Sequence, residues 1–167
     1  MSDIRALHHT GYTVDDLERS LAFYRDLLGM EEVARQEKRG GYLASIVGYP
    51  DAHVRMAHLR VGGTGHMLEL FEYADNRELE PLSLARGNDT HQLGVRHVGF
   101  RVDDLGRARQ ALLDAGCAEL TDVKHGRTGI DYFFVKDPDG VWVEIVEDRR
   151  ELDPARPVRL IQGRDTG

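Results

Sequence analysis

The segment His9-Thr10-Gly11-Tyr12-Thr13-Val14-Asp15-Asp16-Leu17 returns 88 positions later as His97-Val98-Gly99-Phe100-Arg101-Val102-Asp103-Asp104-Leu105. Six of the nine positions are identical and a seventh is an aromatic pair, a density that marks two copies of one supersecondary unit. Each copy alternates like a half-buried strand: Val98, Phe100 and Val102 share one face, while His97, Gly99 and Arg101 share the other. Tyr12 and Val14 oppose His9, Gly11 and Thr13 in the same way. A second echo lies 75 positions apart, where Leu68-Glu69-Leu70-Phe71-Glu72 parallels Val143-Glu144-Ile145-Val146-Glu147. Each unit opens with histidine and closes with glutamate.

After each opening strand comes an acidic pair suited to a helix N-cap, with Asp15 and Glu18 at capping-box spacing in the first copy. Leu17, Leu21, Tyr24 and Leu28 then recur at helical steps as far as Gly29, and Leu105, Ala108, Leu112 and Ala115 do so as far as Gly116. Turn residues divide the remainder of each unit into short strands, over 31–37, 42–47, 53–61 and 66–71 in the first and 118–123, 131–136 and 141–147 in the second. Asp137-Pro138-Asp139-Gly140 has the composition of a type I turn. The expected class is α+β, with tandem βαβββ modules over 1–73 (with an extra strand) and 94–148. A polar linker over 74–93 joins them, and 149–167 is an extended tail with two prolines.

Composition narrows the function. The chain of 167 residues has 29 acidic and 22 basic side chains, a net charge of −7, and no basic stripe to replace phosphate counterions, so no nucleic-acid partner is expected. No apolar run approaches the roughly 18–20 residues of a membrane span, and Met1-Ser2-Asp3-Ile4-Arg5 lacks a signal-peptide core, so a cytoplasmic protein without a membrane partner is expected. The single cysteine, Cys117, excludes an internal disulfide and a multi-thiolate zinc cluster, and its place after a helix stop suits a small buried hydrophobe. A small-molecule substrate becomes the leading partner, with 35–42 and 124–131 read as loops at the mouth of its site.

Strand parity selects the side chains that can converge. Glu69 shares a face with Met67 and Phe71, and Glu144 with Trp142 and Val146, while Leu68, Leu70, Val143 and Ile145 turn to the helices. If the two sheets curl together under the pseudo-twofold of the repeat, His9, Glu69, His97 and Glu144 meet in one cavity. Two carboxylates buried there repel one another and lose solvation, a cost that a divalent cation removes. Two imidazoles with two carboxylates suit one Ni, Co, Mn, Zn or Fe ion. Of the eight histidines only His9 and His97 align; His8 is merely adjacent, and His58 and His66, on strands bordering the cavity, receive no role.

These residues resemble the vicinal oxygen chelate superfamily, which includes glyoxalase I, methylmalonyl-CoA epimerase, extradiol dioxygenases and bleomycin-binding proteins. The resemblance spans nearly all of 4–148 and rests on the two His-x-Gly-aromatic-x-Val-Asp-Asp-Leu segments, Phe23-Tyr24-Arg25-Asp26-Leu27-Leu28-Gly29, and Asp137-Pro138-Asp139-Gly140 before Val143-Glu144. It implies a curved mixed-sheet half-barrel around a metal cavity, with ligands at His9, Glu69, His97 and Glu144. It also implies a lyase or isomerase that chelates vicinal oxygens and shuttles a proton through an enediolate or enolate, with Glu144 as ligand and shuttle and Glu69 as its counterpart. The His-Glu-His-Glu set looks most like glyoxalase I. An epimerase, an Fe(II) ring-cleaving dioxygenase and a non-catalytic drug-binding protein are the alternatives. Arg101, Phe71, Trp142 and Met67 are the expected substrate-binding residues, and a homodimer is the expected assembly.

Overall fold

The computed structural model describes residues 7–41, 48, 51–75, 97–125 and 129–149. Strand β1 (His9–Thr13) leads to helix α1 (Leu17–Leu21), which widens into a π-helical turn (Ala22–Leu27), and then come β2 (Glu31–Arg39), β3 (His53–Arg60) and β4 (Met67–Tyr73). The second module repeats the plan with β5 (His97–Arg101), α2 (Leu105–Asp114), β6 (Lys124–His125), β7 (Ile130–Lys136) and β8 (Trp142–Asp148). Each module forms a four-stranded mixed sheet, ordered β1-β4-β3-β2 and β5-β8-β7-β6. In each, the opening strand lies parallel to the closing one, which the intervening helix makes possible by carrying the chain across the sheet. The fold is α+β with two tandem βαβββ modules.

The repeat extends to register. Gly11 stands beside Glu69 and Gly99 beside Glu144, so each histidine sits two residues before the point where its strand passes the glutamate. Burial alternates down β4, where Leu68, Leu70 and Glu72 turn inward to α1, and Val143 and Ile145 do the same on β8. One apolar core joins the modules, running from Leu17, Leu21 and Tyr24 through Leu68 and Leu70 to Phe133, Val135, Val143 and Ile145.

The helices begin one residue later than the capping-box reading placed the first. Asp16, not Asp15, caps α1 by accepting the Arg19 amide at 3.0 Å, and Asp104 accepts Arg107 at 2.8 Å on α2. Glu18 turns instead to Arg35. A further orphan amide on each helix is taken by the closing strand: Leu17 N–H donates to Glu72 Oε2 at 2.9 Å, and Leu105 N–H to Glu147 Oε2 at 3.0 Å. Beyond Leu21 the helix widens, with Leu28 N–H donating to the Phe23 carbonyl five residues back. The wider turn lets the consecutive Phe23 and Tyr24 both face the core, with their rings 5.0 Å apart edge to face.

Two strand expectations change. The stretch 118–123 is not a ladder strand: Leu120 makes an isolated bridge to Val135, closed by the Lys136 amide on the Glu119 carbonyl and the Thr121 amide on the Phe134 carbonyl, and the Phe134 amide turns to the Thr121 hydroxyl instead of a carbonyl. The strand of that region is the short β6. The expected mouth loops also shorten, since residues 35–39 belong to β2 and 124–125 to β6. The extra strand at 42–47, most of the linker and the tail beyond 149 lie outside the described residues.

A polar seam locks the modules together around the Asp137-Pro138-Asp139-Gly140 turn. Asp139 receives the Arg19 guanidinium at 2.6 Å and the Ser20 hydroxyl at 3.2 Å, and Asp137 receives the Tyr24 hydroxyl at 2.7 Å. Asp137 Oδ1 also accepts the Asp139 and Val141 amides at 3.0 and 2.8 Å, which closes the turn on itself.

Candidate metal and substrate site

His9 and Glu69 project from the face of the first sheet opposite α1, and His97 and Glu144 from the equivalent face of the second. His9 Nε2 lies 3.6 Å from Glu69 Oε2, and His97 Nε2 lies 3.5 Å from Glu144 Oε2. These separations are at or beyond the limit of a hydrogen bond. They match the spacing of two donors held about 2.0–2.2 Å from one ion, which stand roughly 3.3–3.6 Å apart at a tetrahedral angle. The imidazoles are about half exposed, at 46% and 42%, while the carboxylates are mostly covered, at 15% and 22%. Each His–Glu pair therefore suits a divalent first-row ion in donor chemistry and in the spacing of its two atoms.

The structure presents these four side chains as two pairs, one on each sheet. Among the described residues, no three histidine, cysteine, aspartate or glutamate side chains gather into a group able to hold a metal.

The glycines beside the carboxylates keep these faces open. A Cβ on Gly99 would meet Glu144 Oε2 at 3.3 Å, and one on Gly11 would meet the Phe71 ring at 3.3 Å. Both glycines occupy the same place in their modules, so the repeat preserves the clearance as well as the ligand types. His9 is also held from behind, with its Nδ1 2.8 Å from His8 Nδ1. Orientation of an imidazole through its second nitrogen is the usual way a ligating histidine is fixed. The His8–His9 contact was not legible in the repeat, because the residue before His97 is Arg96 rather than a second histidine.

The four expected substrate-binding residues share these faces. Met67 is the register partner of His9 and Trp142 that of His97. Phe71 packs with Ala52, Val54, Met56 and Tyr73 in a second apolar cluster. Trp142 meets Phe134 edge to face at 6.2 Å, and the Lys136 ammonium lies 5.2 Å from its ring centre. Arg101 is exposed at the end of β5 and makes no ion pair among the described residues, which leaves its guanidinium available to an anionic ligand.

His58, assigned no role from parity or the repeat, stands directly across from Glu69 in the β3–β4 ladder, and its Nε2 lies 2.6 Å from Glu69 Oε1. The sequence placed His58 on the strand before Glu69, and the β3–β4 register is what brings the two face to face. Behind the sheets, burial and then the charge of Asp137 push the Tyr12 hydroxyl up to about 12, and the same causes hold Tyr24 well above the ordinary phenol. Burial raises the Asp137 carboxyl. Both tyrosines thus stay protonated and serve packing and the seam.

Residues 6–145 match the Glyoxalase/Bleomycin resistance protein/Dioxygenase superfamily. A protein of Vibrio parahaemolyticus named "Probable lactoylglutathione lyase" is 31% identical over 156 residues, which cover 90% of this chain and 95% of that one. A lactoylglutathione lyase of Neisseria meningitidis serogroup A is 29% identical over 150 residues, 86% and 91% of the two chains. Among solved structures, a glyoxalase family protein from Bacillus cereus superimposes with a TM-score of 0.76 over 88% of this chain and 97% of that one, at 19% identity. With the duplicated sheets and the repeated His–Glu pairs, this match over most of the chain establishes that it belongs to the glyoxalase/bleomycin resistance/dioxygenase superfamily, the vicinal oxygen chelate proteins.

Proposed function

We propose that the chain is a divalent-metal-dependent lyase or isomerase of the glyoxalase I type, acting on a small substrate with adjacent oxygens such as the hemithioacetal of a 2-oxoaldehyde and a thiol. The observation that carries this reading is the pair of His–Glu couples at equal register, 3.6 and 3.5 Å across, on corresponding faces. The relatives named lactoylglutathione lyase support the same chemistry.

In this reading His9, Glu69, His97 and Glu144 hold one ion among Ni, Co, Mn, Zn and Fe. When bound, that ion supplies Lewis-acid polarisation of adjacent substrate oxygens, which stabilises the charge left when the neighbouring carbon loses a proton. Glu144 takes the proton from one carbon and returns it to the next, with Glu69 as the carboxylate on the opposite side. Trp142, Phe71 and Met67 exclude water around the reacting carbons, and Arg101 receives an anionic end of the substrate.

The proposed working unit is a homodimer in which the His9–Glu69 pair of one copy faces the His97–Glu144 pair of the other. The half-exposed imidazoles, and the standing of the four ligands as two pairs within one chain, support this arrangement.

The deciding experiment combines metal analysis with turnover. The purified chain should bind one equivalent of Ni2+ or Co2+ per pair of half-sites and convert a hemithioacetal to the 2-hydroxy thioester. His9→Ala and His97→Ala should each lose both properties, and Glu144→Gln should lose turnover. Mixing His9→Ala with His97→Ala should restore a share of intact sites if the pairs meet between copies. Absence of metal in the reconstituted protein, or full turnover by both alanine variants, would sink the proposal. Oxygen consumption with Fe2+ and a catechol would redirect it to ring cleavage.

A further inference from the structure

The duplicated faces differ at one position that touches a carboxylate. Across from Glu69 in the first sheet stands His58, and across from Glu144 in the second stands Phe134. The two glutamates otherwise share a closing strand, a glycine neighbour and a histidine partner. The His58–Glu69 contact is short, at 2.6 Å, and the two side chains are 16% and 15% exposed. A carboxylate only accepts, so Nε2 of His58 carries the hydrogen and donates to Glu69 Oε1. Nδ1 of His58 is buried and has no hydrogen-bond partner among the described residues. The imidazole is therefore committed to Glu69 through one atom.

We propose that His58 is a positioning residue for the first half-site: by occupying Glu69 Oε1 it fixes the carboxylate so that Oε2 is the oxygen presented beside His9. This rests on the reading of His9 and Glu69 as metal ligands. Glu69 Oε2 is the atom 3.6 Å from His9 Nε2, so the oxygen bound by His58 and the oxygen facing His9 are different atoms of one carboxylate. A fixed carboxylate loses less side-chain freedom on binding a cation, and hydrogen-bonded outer partners of this kind set both ligand orientation and affinity. Phe134 has no donor to offer, and its ring packs edge to face on His97 at 5.4 Å. The second half-site thus orients its histidine by an aromatic contact and leaves its glutamate without a counterpart to His58.

The test uses the full chain with Ni2+ titrated calorimetrically and Co2+ read by its visible absorption. His58→Phe, which installs the residue of the second module, should weaken Ni2+ binding about 10–100-fold and shift the Co2+ bands, while thermal unfolding reports that the fold is kept. His58→Gln retains an N–H donor and should recover most of the affinity and the wild-type spectrum. The proposal is overturned if His58→Phe binds like wild type. It is also overturned if His58→Gln loses as much as His58→Phe, because the imidazole would then act as a ligand or as bulk. His97→Ala, remote from His58 in the sheets, separates the two claims. Loss of metal by His97→Ala with retention by His58→Phe defeats only the positioning role, whereas metal binding unaffected by His97→Ala defeats the metal site itself.

Discussion

Replacing Tyr24 with phenylalanine removes one hydroxyl from the seam between the modules, where it donates to Asp137 Oδ2 at 2.7 Å. Both residues are buried, at 0% and 6% exposure, so water does not replace the lost donor. A hydrogen bond to a charged group is worth about 1.5–3 kcal/mol, and at roughly 2–4 °C per kcal/mol for a chain of this size the unfolding midpoint should fall by about 3–12 °C. The deficit should depend on pH. Burial raises the Asp137 carboxyl above its ordinary value of 3.8, and the Tyr24 bond pulls it down. A group raised in the folded state contributes stability that is fully present below its unfolded value and is lost as pH rises through the folded value. Without the hydroxyl the folded value rises further, so the variant loses more stability at neutral and alkaline pH than in acid. Urea unfolding of both proteins near pH 4.5 and near pH 8 measures this directly. A deficit of equal size at both pH values would refute the reasoning, as would an undiminished cost of Tyr24→Phe in an Asp137→Asn background.

Other perturbations probe the repeat elsewhere. Gly99→Ala places a methyl 3.3 Å from Glu144 Oε2 and should weaken Ni2+ binding by tilting that carboxylate, with little change in thermal midpoint; calorimetric titration beside thermal unfolding checks both halves of the statement. Glu147→Ala strips the acceptor from the Leu105 amide and should cost about 0.5–2 kcal/mol in chemical unfolding, the range of a lost helix cap. His53 is raised above its ordinary 6.5 by hydrogen bonds to Glu37 and then Asp75, so its stabilising contribution is present below about 6.5 and fades as pH rises through the folded value. His53→Gln should flatten the thermal midpoint across that interval, as differential scanning calorimetry would record.

Alternation and repetition carried most of the architecture. A strand period of two fixes which residues share a face, so Glu69 with Met67 and Phe71, and Glu144 with Trp142, were readable before any coordinate. The limits of this reading have physical causes. Asp15 and Asp16 are chemically equivalent cap candidates, and only the entry angle of the chain into α1 decides for Asp16. The widened turn after Leu21 was hidden because helical spacing through Tyr24 ignores the neighbouring Phe23, and burial of both rings requires the π geometry. Glu72 and Glu147 are acidic residues on apolar faces, where periodicity alone has no use for them; the helix amides that donate to them account for Glu72 being buried and Glu147 partly covered. His58 was the costliest omission. Its meaning depends on the β3–β4 register, which is set by the turn at 61–66, and on facing Glu69 rather than a neighbour.

A duplicated module supplies two equivalent half-sites, but proton transfer between adjacent carbons of one substrate needs a site with direction. With both faces identical, a substrate would bind equally well either way round, and either glutamate would meet either carbon. Among the differences between the two faces, two bear on direction. Arg101 in the second module stands where Thr13 stands in the first, so a cation marks one end, and an anionic substrate gains affinity in only one orientation. Glu69 is tied to His58, whereas Glu144 faces the ring of Phe134. A carboxylate that moves a proton has to shift between two atoms, and one that serves as a fixed anchor gains from being held. In the proposed reaction the same asymmetry gives the substrate one orientation and leaves Glu144 as the mobile carboxylate. Arg101→Thr should reveal this order by raising KM for an anionic substrate far more than it lowers kcat, and an equal loss in kcat would place Arg101 at the reacting carbons instead.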